Sequence, residues 1–242
     1  NILMYIGAAT SRYEWVQMGS QNAVWLITLL MAIVGGRVLP MFTANGTQTK
    51  KVDAIVWLDR AALASLWLIF VLHFFALTQY LPPLAMSSLF GLSALLLGLR
   101  CLRWKIWITW REPLLWSLHL AYWCIPAGLA LFAARYSGLA VTQSLAIHML
   151  TVGAMGAMIL SMMSRVSLGH TGRQLKTSRW MPLAFAALIA AMVCRVLLPL
   201  QSSQWYLTGV LISAVCWVVG FMLVLLCYWK ILTSPRADGH PG

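Results

Sequence analysis

Long runs of apolar residues, separated by short polar segments, follow one another along almost the whole chain. A membrane-spanning helix needs about 20 mainly apolar residues, and seven segments approach this length. These predicted spans, numbered 1 to 7 in chain order, cover residues 21–41, 54–80, 83–100, 113–134, 140–165, 180–200 and 204–229. The pattern therefore predicts an all-α fold, a polytopic transmembrane helical bundle of about seven spans.

Composition supports this interpretation, because 61% of the 242 residues are hydrophobic and only 9% are charged. A soluble domain usually carries about 25% charged residues, so we expect the lipid bilayer to be the main partner. The net charge of +12 could suggest binding to nucleic acid. The basic residues, however, lie in the gaps between apolar runs, where membrane topology requires them. We therefore expect no nucleic-acid partner.

The distribution of basic residues also predicts an orientation. If the connections after spans 1, 3 and 5 share one side with the C-terminus, that side carries 14 of the 17 Lys and Arg residues. The positive-inside rule then places this side in the cytoplasm. We expect residues 1–234 to form a single transmembrane domain and residues 235–242 a cytoplasmic tail. Residues 1–9 resemble the remnant of a preceding helix, so we expect a fragment of a longer protein.

Three of the five histidines, His73, His119 and His148, lie within predicted spans, where ionisable groups are costly and usually functional. A helical rise of about 1.5 Å per residue puts His73 and His148 at similar depths, roughly 10 to 12 Å from the same face. They could hold a haem iron or a metal ion between helices. His119 and His170 could form a second site near the opposite face. The alternative is that membrane histidines only form hydrogen bonds between helices, and His240 is expected to be a solvated tail residue.

Span 5 contains a possible copper site. His148, Met155 and Met162 are spaced seven residues apart, which places them on nearly one face of an α-helix. Thioether and imidazole ligands together suit copper, especially Cu(I). Methionine also fills gaps in packed helices, and the spacing alone favours that simpler interpretation. Gly153 and Gly156 would permit the close approach of another helix or of a flat ring.

Two groups of arginines could bind anions. Arg37, in the segment GGRVLP, could pair with a carboxylate, a haem propionate or a lipid headgroup, although snorkelling to the interface would also explain it. The segment from Arg165 to Arg173 is predicted as a loop with two glycines and His170. Its backbone N–H groups and arginines could hold an anion or a propionate.

Two stretches resemble the NnrS family of membrane proteins: GGRVLPMFTANG, from Gly35 to Gly46, and HMLTVGAMGAMILSMMSRVSLGHTGR, from His148 to Arg173. The resemblance implies a bacterial inner-membrane protein that contains haem, of the b type, and copper, and that belongs to the response to nitric oxide. It implies candidate metal ligands at His73, His119, His148 and His170, to which the spacing in span 5 adds Met155 and Met162 as candidates. The arginines that would support a cofactor on this resemblance are Arg37, Arg165 and Arg173.

Other functions compete with this one. A transporter or channel for a metal or a small molecule would need a polar path through the bundle, and a non-catalytic structural or sensing subunit would use its histidines only for packing. On the first hypothesis the partners are nitric oxide, or a related small molecule, and an electron donor. The sequence leaves open whether the protein is an enzyme. No carboxylate pair or proton path is apparent, because the predicted spans contain almost no acidic residues.

Overall fold

A computed structural model describes residues 2–239; Asn1 and residues 240–242, with His240 among them, lie outside the described residues. The predicted all-α fold is confirmed, since 81% of the described residues are helical and residues 2–239 contain no strand. The helices are α1 (Ile2–Ala9), α2 (Tyr13–Thr47), α3 (Val56–Phe74), α4 (Pro83–Arg103), α5 (Pro113–Tyr136), α6 (Gln143–His148), α7 (Ala157–His170), α8 (Met181–Gln201) and α9 (Tyr206–Leu232).

Seven helical segments of the described chain are long and apolar enough to cross a membrane, which confirms the predicted number. One of them is composite, because α6 and α7 are joined by a π-helix over Met149–Gly156. The eight-residue α1 is too short to span a membrane, and it packs against α2.

The first span is much longer than its apolar run. Helix α2 begins at Tyr13 and continues through Pro40 to Thr47, whereas apolarity predicted only residues 21–41. It ends where Gln48 adopts a left-handed conformation and its N–H bonds to the carbonyl of Ala44. Polar residues can extend a helix beyond the hydrocarbon core, so the apolar run marks the membrane rather than the ends of the helix.

The second span is shorter than predicted. Helix α3 ends at Phe74, and Ala76 then adopts a left-handed conformation with φ of 53°. A short 3-10 turn follows over Leu77–Tyr80, within the range predicted as helix. As a result, His73 lies in the last turn of α3, close to the connection with α4.

The loop predicted between Arg165 and Arg173 is wrong over most of its length, because α7 continues to His170. The residues there form regular helical hydrogen bonds, and glycine in a helix is unfavourable but tolerated. Only the last three residues of that segment leave the helix, with Gly172 in a left-handed turn at φ of 67°.

Helix α5 lies at the centre of the bundle. It packs against α2, α4 and α7, and 67% of its most apolar stretch is buried inside the protein, as for the composite span over Gln143–His170. The corresponding share for the last span is 11%, so most of α9 faces outwards and is available to lipid. The candidate site residues on α5 and its neighbours are therefore held by protein, whereas α9 forms the periphery.

Close packing of α8 against α9 leads to the first prediction. A Cβ at Gly209 would collide with the backbone carbonyl of Cys194. We expect Gly209→Ala to lower the free energy of unfolding by about 1–3 kcal/mol, because a backbone atom cannot rotate away from the added methyl group. Thermal unfolding in detergent, followed by tryptophan fluorescence, measures the change. Gly169→Ala is the matched control, since a Cβ there meets nothing within 4 Å, and equal losses in both variants would contradict the prediction.

Candidate functional site

His73 lies on the wall of a cavity between α2, α3 and α5. The cavity has a volume of about 370 Å³, and we call it the His73 cavity. Polar residues from three parts of the chain share its wall with His73: Glu14 and Gln17 of α2, Arg135 of α5, and Gln143 at the start of α6. The wall of the cavity therefore carries an imidazole, a carboxyl group and a guanidinium.

The hydrogen bond of His73 determines which ring nitrogen is available. Nδ1 lies 2.8 Å from the carbonyl oxygen of Ile69, and because a carbonyl only accepts, Nδ1 carries the proton. Nε2 of the neutral ring therefore keeps its lone pair, and no described residue forms a hydrogen bond with it. Metal-binding histidines usually have this arrangement, with one N–H donated to an acceptor and the other nitrogen on the metal.

Aromatic rings hold the imidazole of His73 in place. The ring centre of Trp25 lies 4.8 Å from that of His73, and the ring of Phe90 meets it edge-on at 6.0 Å. Phe132 lies 5.0 Å from Trp25 and also lines the cavity. These contacts restrict the rotation of the imidazole, so its open nitrogen keeps a fixed direction.

His148 has a different environment, because both of its ring nitrogens are engaged. Nδ1 lies 2.6 Å from the carbonyl oxygen of Ser144, and Nη2 of Arg195 lies 3.2 Å from Nε2. The guanidinium can only donate, so it occupies the lone pair of Nε2. Arg195 also lies over the ring of Tyr206, at 5.2 Å from its centre. A metal could bind Nε2 of His148 only after Arg195 moved away.

The π-helix that follows His148 changes the face on which the methionines lie. Its hydrogen bonds join residues five apart in the chain instead of four apart, so each residue turns through less than the 100° of an α-helix. The sevenfold spacing of His148, Met155 and Met162 therefore does not align them as an unbroken α-helix would. Met155 is 8% exposed and Met162 is partly buried. The spacing argument for copper is weakened, whereas both thioethers remain within the bundle.

Gly156 shows what the small residues of this segment do. A Cβ at this position would collide with the indole ring of Trp217 on α9. The glycine thus permits flat packing against a ring, one of the two roles expected for it, and the ring belongs to the protein itself. π-Helical segments are rare and occur frequently at functional sites.

The two histidines predicted to form a second site have unlike surroundings. His119 is 1% exposed, and its Nε2 lies 2.8 Å from the hydroxyl of Thr43. Its Nδ1 is buried and has no hydrogen-bond partner among the described residues, which is unusual for a buried polar atom. His170 is exposed at the end of α7 and forms no side-chain hydrogen bond within the described chain. Of the two, only His119 offers a nitrogen inside the bundle.

The three predicted arginines are divided between different regions. The guanidinium of Arg165 lies 3.9 Å from the ring centre of Phe42, and the side chain is only 8% exposed. Arg173 donates to the carbonyls of Ile231 and Pro235, at 3.4 and 3.5 Å, and so connects the end of α7 to the end of α9. Arg37 is exposed and has no ion pair or hydrogen bond from its side chain within residues 2–239.

A partly buried ion pair is the polar cluster that sequence reasoning missed. Arg100 on α4 is 5% exposed, and its Nε lies 2.5 Å from a carboxylate oxygen of Asp59 on α3. Its Nη1 donates to the carbonyl of Ala32 at 3.0 Å and to the hydroxyl of Tyr122 at 3.1 Å. Trp104 lies beneath the guanidinium at 5.5 Å. The cluster joins α2, α3, α4 and α5.

The two glycines before Arg37 make room for this cluster. A Cβ at Gly36 would collide with the guanidinium of Arg100, and a Cβ at Gly35 would meet the ring of Tyr122. The motif GGR therefore has a packing reason for its first two residues. A signal for the ion pair was present in the sequence, since Asp59 is one of only five acidic residues, but its partner could not be identified without the fold.

The positions of the potential ligands limit the kind of metal centre that could form. Across residues 2–239, no three or more His, Cys, Asp or Glu side chains form a group that could hold a metal ion. A haem iron needs only one or two protein ligands, and the open nitrogen of His73 meets that requirement. Among the described residues, the donors would thus suit a group held by a single imidazole better than an ion held by three ligands of these types.

The Asp59–Arg100 pair generates the second prediction. We expect Asp59→Ala to lower the free energy of unfolding by about 2 kcal/mol, because the guanidinium of Arg100 would lose the carboxylate with which it pairs. The measurement is thermal unfolding in detergent.

Asp53→Ala is the matched control for that experiment. The side chain of Asp53 is exposed, and Arg103 binds only its backbone carbonyl, at 2.8 Å. We expect a change of less than about 0.5 kcal/mol. A loss in Asp59→Ala no larger than that in Asp53→Ala would show that the pair does not stabilise the bundle.

Comparison with known proteins agrees with the resemblance found in the two motifs. A family model described as NnrS protein matches residues 1–236, nearly the whole chain. No curated protein and no solved structure matches the chain. The match covers the His73 cavity, the π-helix and the Asp59–Arg100 pair alike.

Proposed function

The chain belongs to the NnrS family, and on that premise we propose that it is a haem- and copper-binding membrane protein of the nitric oxide response. Family membership by itself indicates the coarser role, a part in the response to nitric oxide. We infer the finer role from the arrangement of the membrane histidines. The proposal places the protein in the bacterial inner membrane with its C-terminus in the cytoplasm, as the distribution of basic residues predicts.

The observation that carries the proposal is the open Nε2 of His73 in a cavity that also contains Arg135. Nε2 of His73 would hold the iron of a haem while Nδ1 donates to the carbonyl of Ile69. The guanidinium of Arg135 makes one long hydrogen bond, 3.4 Å to the carbonyl of Val141, so its other N–H groups are available to a propionate. A carboxylate that leaves water needs such a partner.

A haem bound there would supply an iron to which nitric oxide can bind. The protein's own contribution is to orient the imidazole, to pair the propionate and to exclude water from the apolar side of the cavity. Phe132 provides part of that apolar side, and the buried ring of Trp25 packs against both Phe132 and His73.

For copper, the second cofactor of the proposal, the candidate ligand inside the bundle is His119. Its buried Nδ1 has no partner within the described chain, and an orphaned buried nitrogen is costly unless something binds it. The thioethers of Met155 and Met162 are soft ligands that suit Cu(I), but their α-helical alignment with His148 is lost in the π-helix. His148, in turn, has Arg195 on its outer nitrogen.

The third prediction concerns haem. Wild-type protein, purified in detergent from haem-replete cells, is expected to show a Soret absorption band. His73→Ala should lose most of that band, because the imidazole would be the group that holds the iron, and Arg135→Gln should retain haem several-fold more weakly. Absorption spectra and haem assays on equal amounts of protein measure both effects.

Thr78→Val is the control for cavity shape, since Thr78 lies on the same wall but has no ligand role. It should keep the band at the wild-type level. A colourless, metal-free wild-type preparation would contradict haem binding and favour a transporter or a structural subunit. A band that survives in His73→Ala would contradict the assignment of the ligand.

The fourth prediction concerns orientation. Green fluorescent protein fused after residue 239 should fluoresce, because it folds in the cytoplasm but not after export through the membrane in an unfolded state. A fusion after Gly138, between α5 and α6, should be dark, since that connection is predicted to lie outside. Whole-cell fluorescence, normalised to the amount of fusion protein, measures both. A dark C-terminal fusion together with a bright fusion after Gly138 would reverse the orientation.

A further inference from the structure

A second and larger cavity lies between α2, α3 and α4, next to the Asp59–Arg100 pair. Its volume is about 650 Å³, and we call it the Arg37 cavity. Four basic side chains, those of Arg37, Lys51, Arg100 and Arg103, line it together with the carboxylates of Asp53 and Asp59.

The cavity has an excess of positive charge that no described residue balances. Asp59 is paired with Arg100, which leaves three basic groups and one carboxylate. Arg37 and Lys51 make no ion pair or side-chain hydrogen bond within residues 2–239, and Arg103 donates only to the backbone carbonyl of Asp53. Several guanidinium N–H groups are therefore available to an anion, and guanidinium groups bind phosphate in a bidentate manner.

Part of this site is rigid. The guanidinium of Arg100 is held by Asp59, Ala32 and Tyr122, while its Nη2 makes no hydrogen bond with any described residue. Gly36 lies directly against that guanidinium, where any side chain would collide with it. Arg100 therefore places a fixed charge on the cavity wall, and the exposed side chains of Arg37 and Lys51 supply two more charges there.

The position of the Arg37 cavity along α2 indicates which anion is present near it. Gln17 of the His73 cavity and Arg37 are twenty residues apart on one helix. That separation corresponds to about 30 Å, which is the thickness of the hydrocarbon core. The two cavities therefore lie near opposite interfaces, and the Arg37 cavity lies on the side with most basic residues. Basic pockets between helices at that interface bind the head groups of anionic lipids.

The remaining wall of the cavity is apolar. Ile33, Val38 and Met41 of α2 and Leu63 of α3 line it beside the basic residues. An acyl chain could lie along this surface while its phosphate contacts the basic groups, as the two parts of a phospholipid require.

We propose that the Arg37 cavity binds a phosphate group, supplied by the headgroup of an anionic phospholipid at the membrane interface. Free phosphate shares the same chemistry, and the experiment separates the two sources. This site is independent of the His73 cavity and of any haem bound there.

The first arm of the test uses phosphatidylglycerol. Wild-type protein and the double variant Arg37→Gln/Lys51→Gln are stripped of lipid in detergent and titrated with phosphatidylglycerol, and native mass spectrometry gives the apparent Kd. We expect a rise in Kd of roughly twentyfold in the double variant, since each basic group near a membrane surface contributes about a fivefold change. Phosphatidylcholine, which has no net charge, should bind several-fold more weakly to the wild type.

The second arm uses inorganic phosphate, titrated into the same stripped protein in a calorimeter. Saturable binding that the double variant loses would support the site with a soluble anion as its source. Binding of phosphatidylglycerol without binding of free phosphate would support the lipid headgroup. Failure of both probes to bind the wild type would overturn the proposal.

The control is a double variant with the same loss of charge elsewhere, Arg179→Gln/Lys230→Gln, because neither residue lines the cavity. It should bind phosphatidylglycerol like the wild type. An equal loss in the control and in Arg37→Gln/Lys51→Gln would overturn the proposal, since the effect would then be general surface charge.

Two further measurements distinguish loss of lipid binding from unfolding and from loss of haem. The exchange variant Arg37→Lys/Lys51→Arg keeps the charge and should stay within about threefold of the wild-type Kd, so it decides the matter if the neutral variant unfolds. Haem content should not change in Arg37→Gln/Lys51→Gln. Loss of haem with unchanged lipid binding would overturn the proposal, because the anion in the cavity would then be a propionate.

Discussion

The guanidinium of Arg100 lies almost fully buried on α4, where an unpaired charge would be costly. Asp59 supplies the opposite charge, and Ala32 and Tyr122 take the remaining hydrogen bonds. These contacts come from three other helices. The requirement to satisfy one buried charge therefore determines how α2, α3, α4 and α5 meet, and the two cavities lie on either side of that junction along α2.

Hydrogen bonding also determines which histidines have a nitrogen available to a ligand. His148 has partners for both nitrogens, and His170 is exposed, so neither needs a metal to repay the cost of its position. His73 has one nitrogen held and one open toward a cavity, while His119 has a buried nitrogen with no described partner. Equal apolarity of the surrounding sequence does not imply equal availability to a ligand, because hydrogen bonds from neighbouring helices decide which lone pairs remain.

Much of what positions the site was accessible from the sequence. The number of spans follows from the length of each apolar run, a local property that lipid thickness dictates, and the family motifs mark the segments around Gly35 and His148. The ends of the helices were less accessible. Helix α2 extends beyond its apolar run to Thr47, α3 stops at Phe74, and α7 continues to His170, because hydrogen bonding rather than hydrophobicity determines where a helix ends.

The sequence by itself determined the class of fold, the seven spans and the family, since all three depend on short-range composition or on contiguous motifs. Only the tertiary structure decided that Arg100 pairs with Asp59, 41 positions earlier in the chain, and that Arg195 occupies the open nitrogen of His148. It also decided the π-helix, which removes the alignment of His148 with Met155. Such contacts join residues far apart in the chain, and their geometry exists only once the helices have packed.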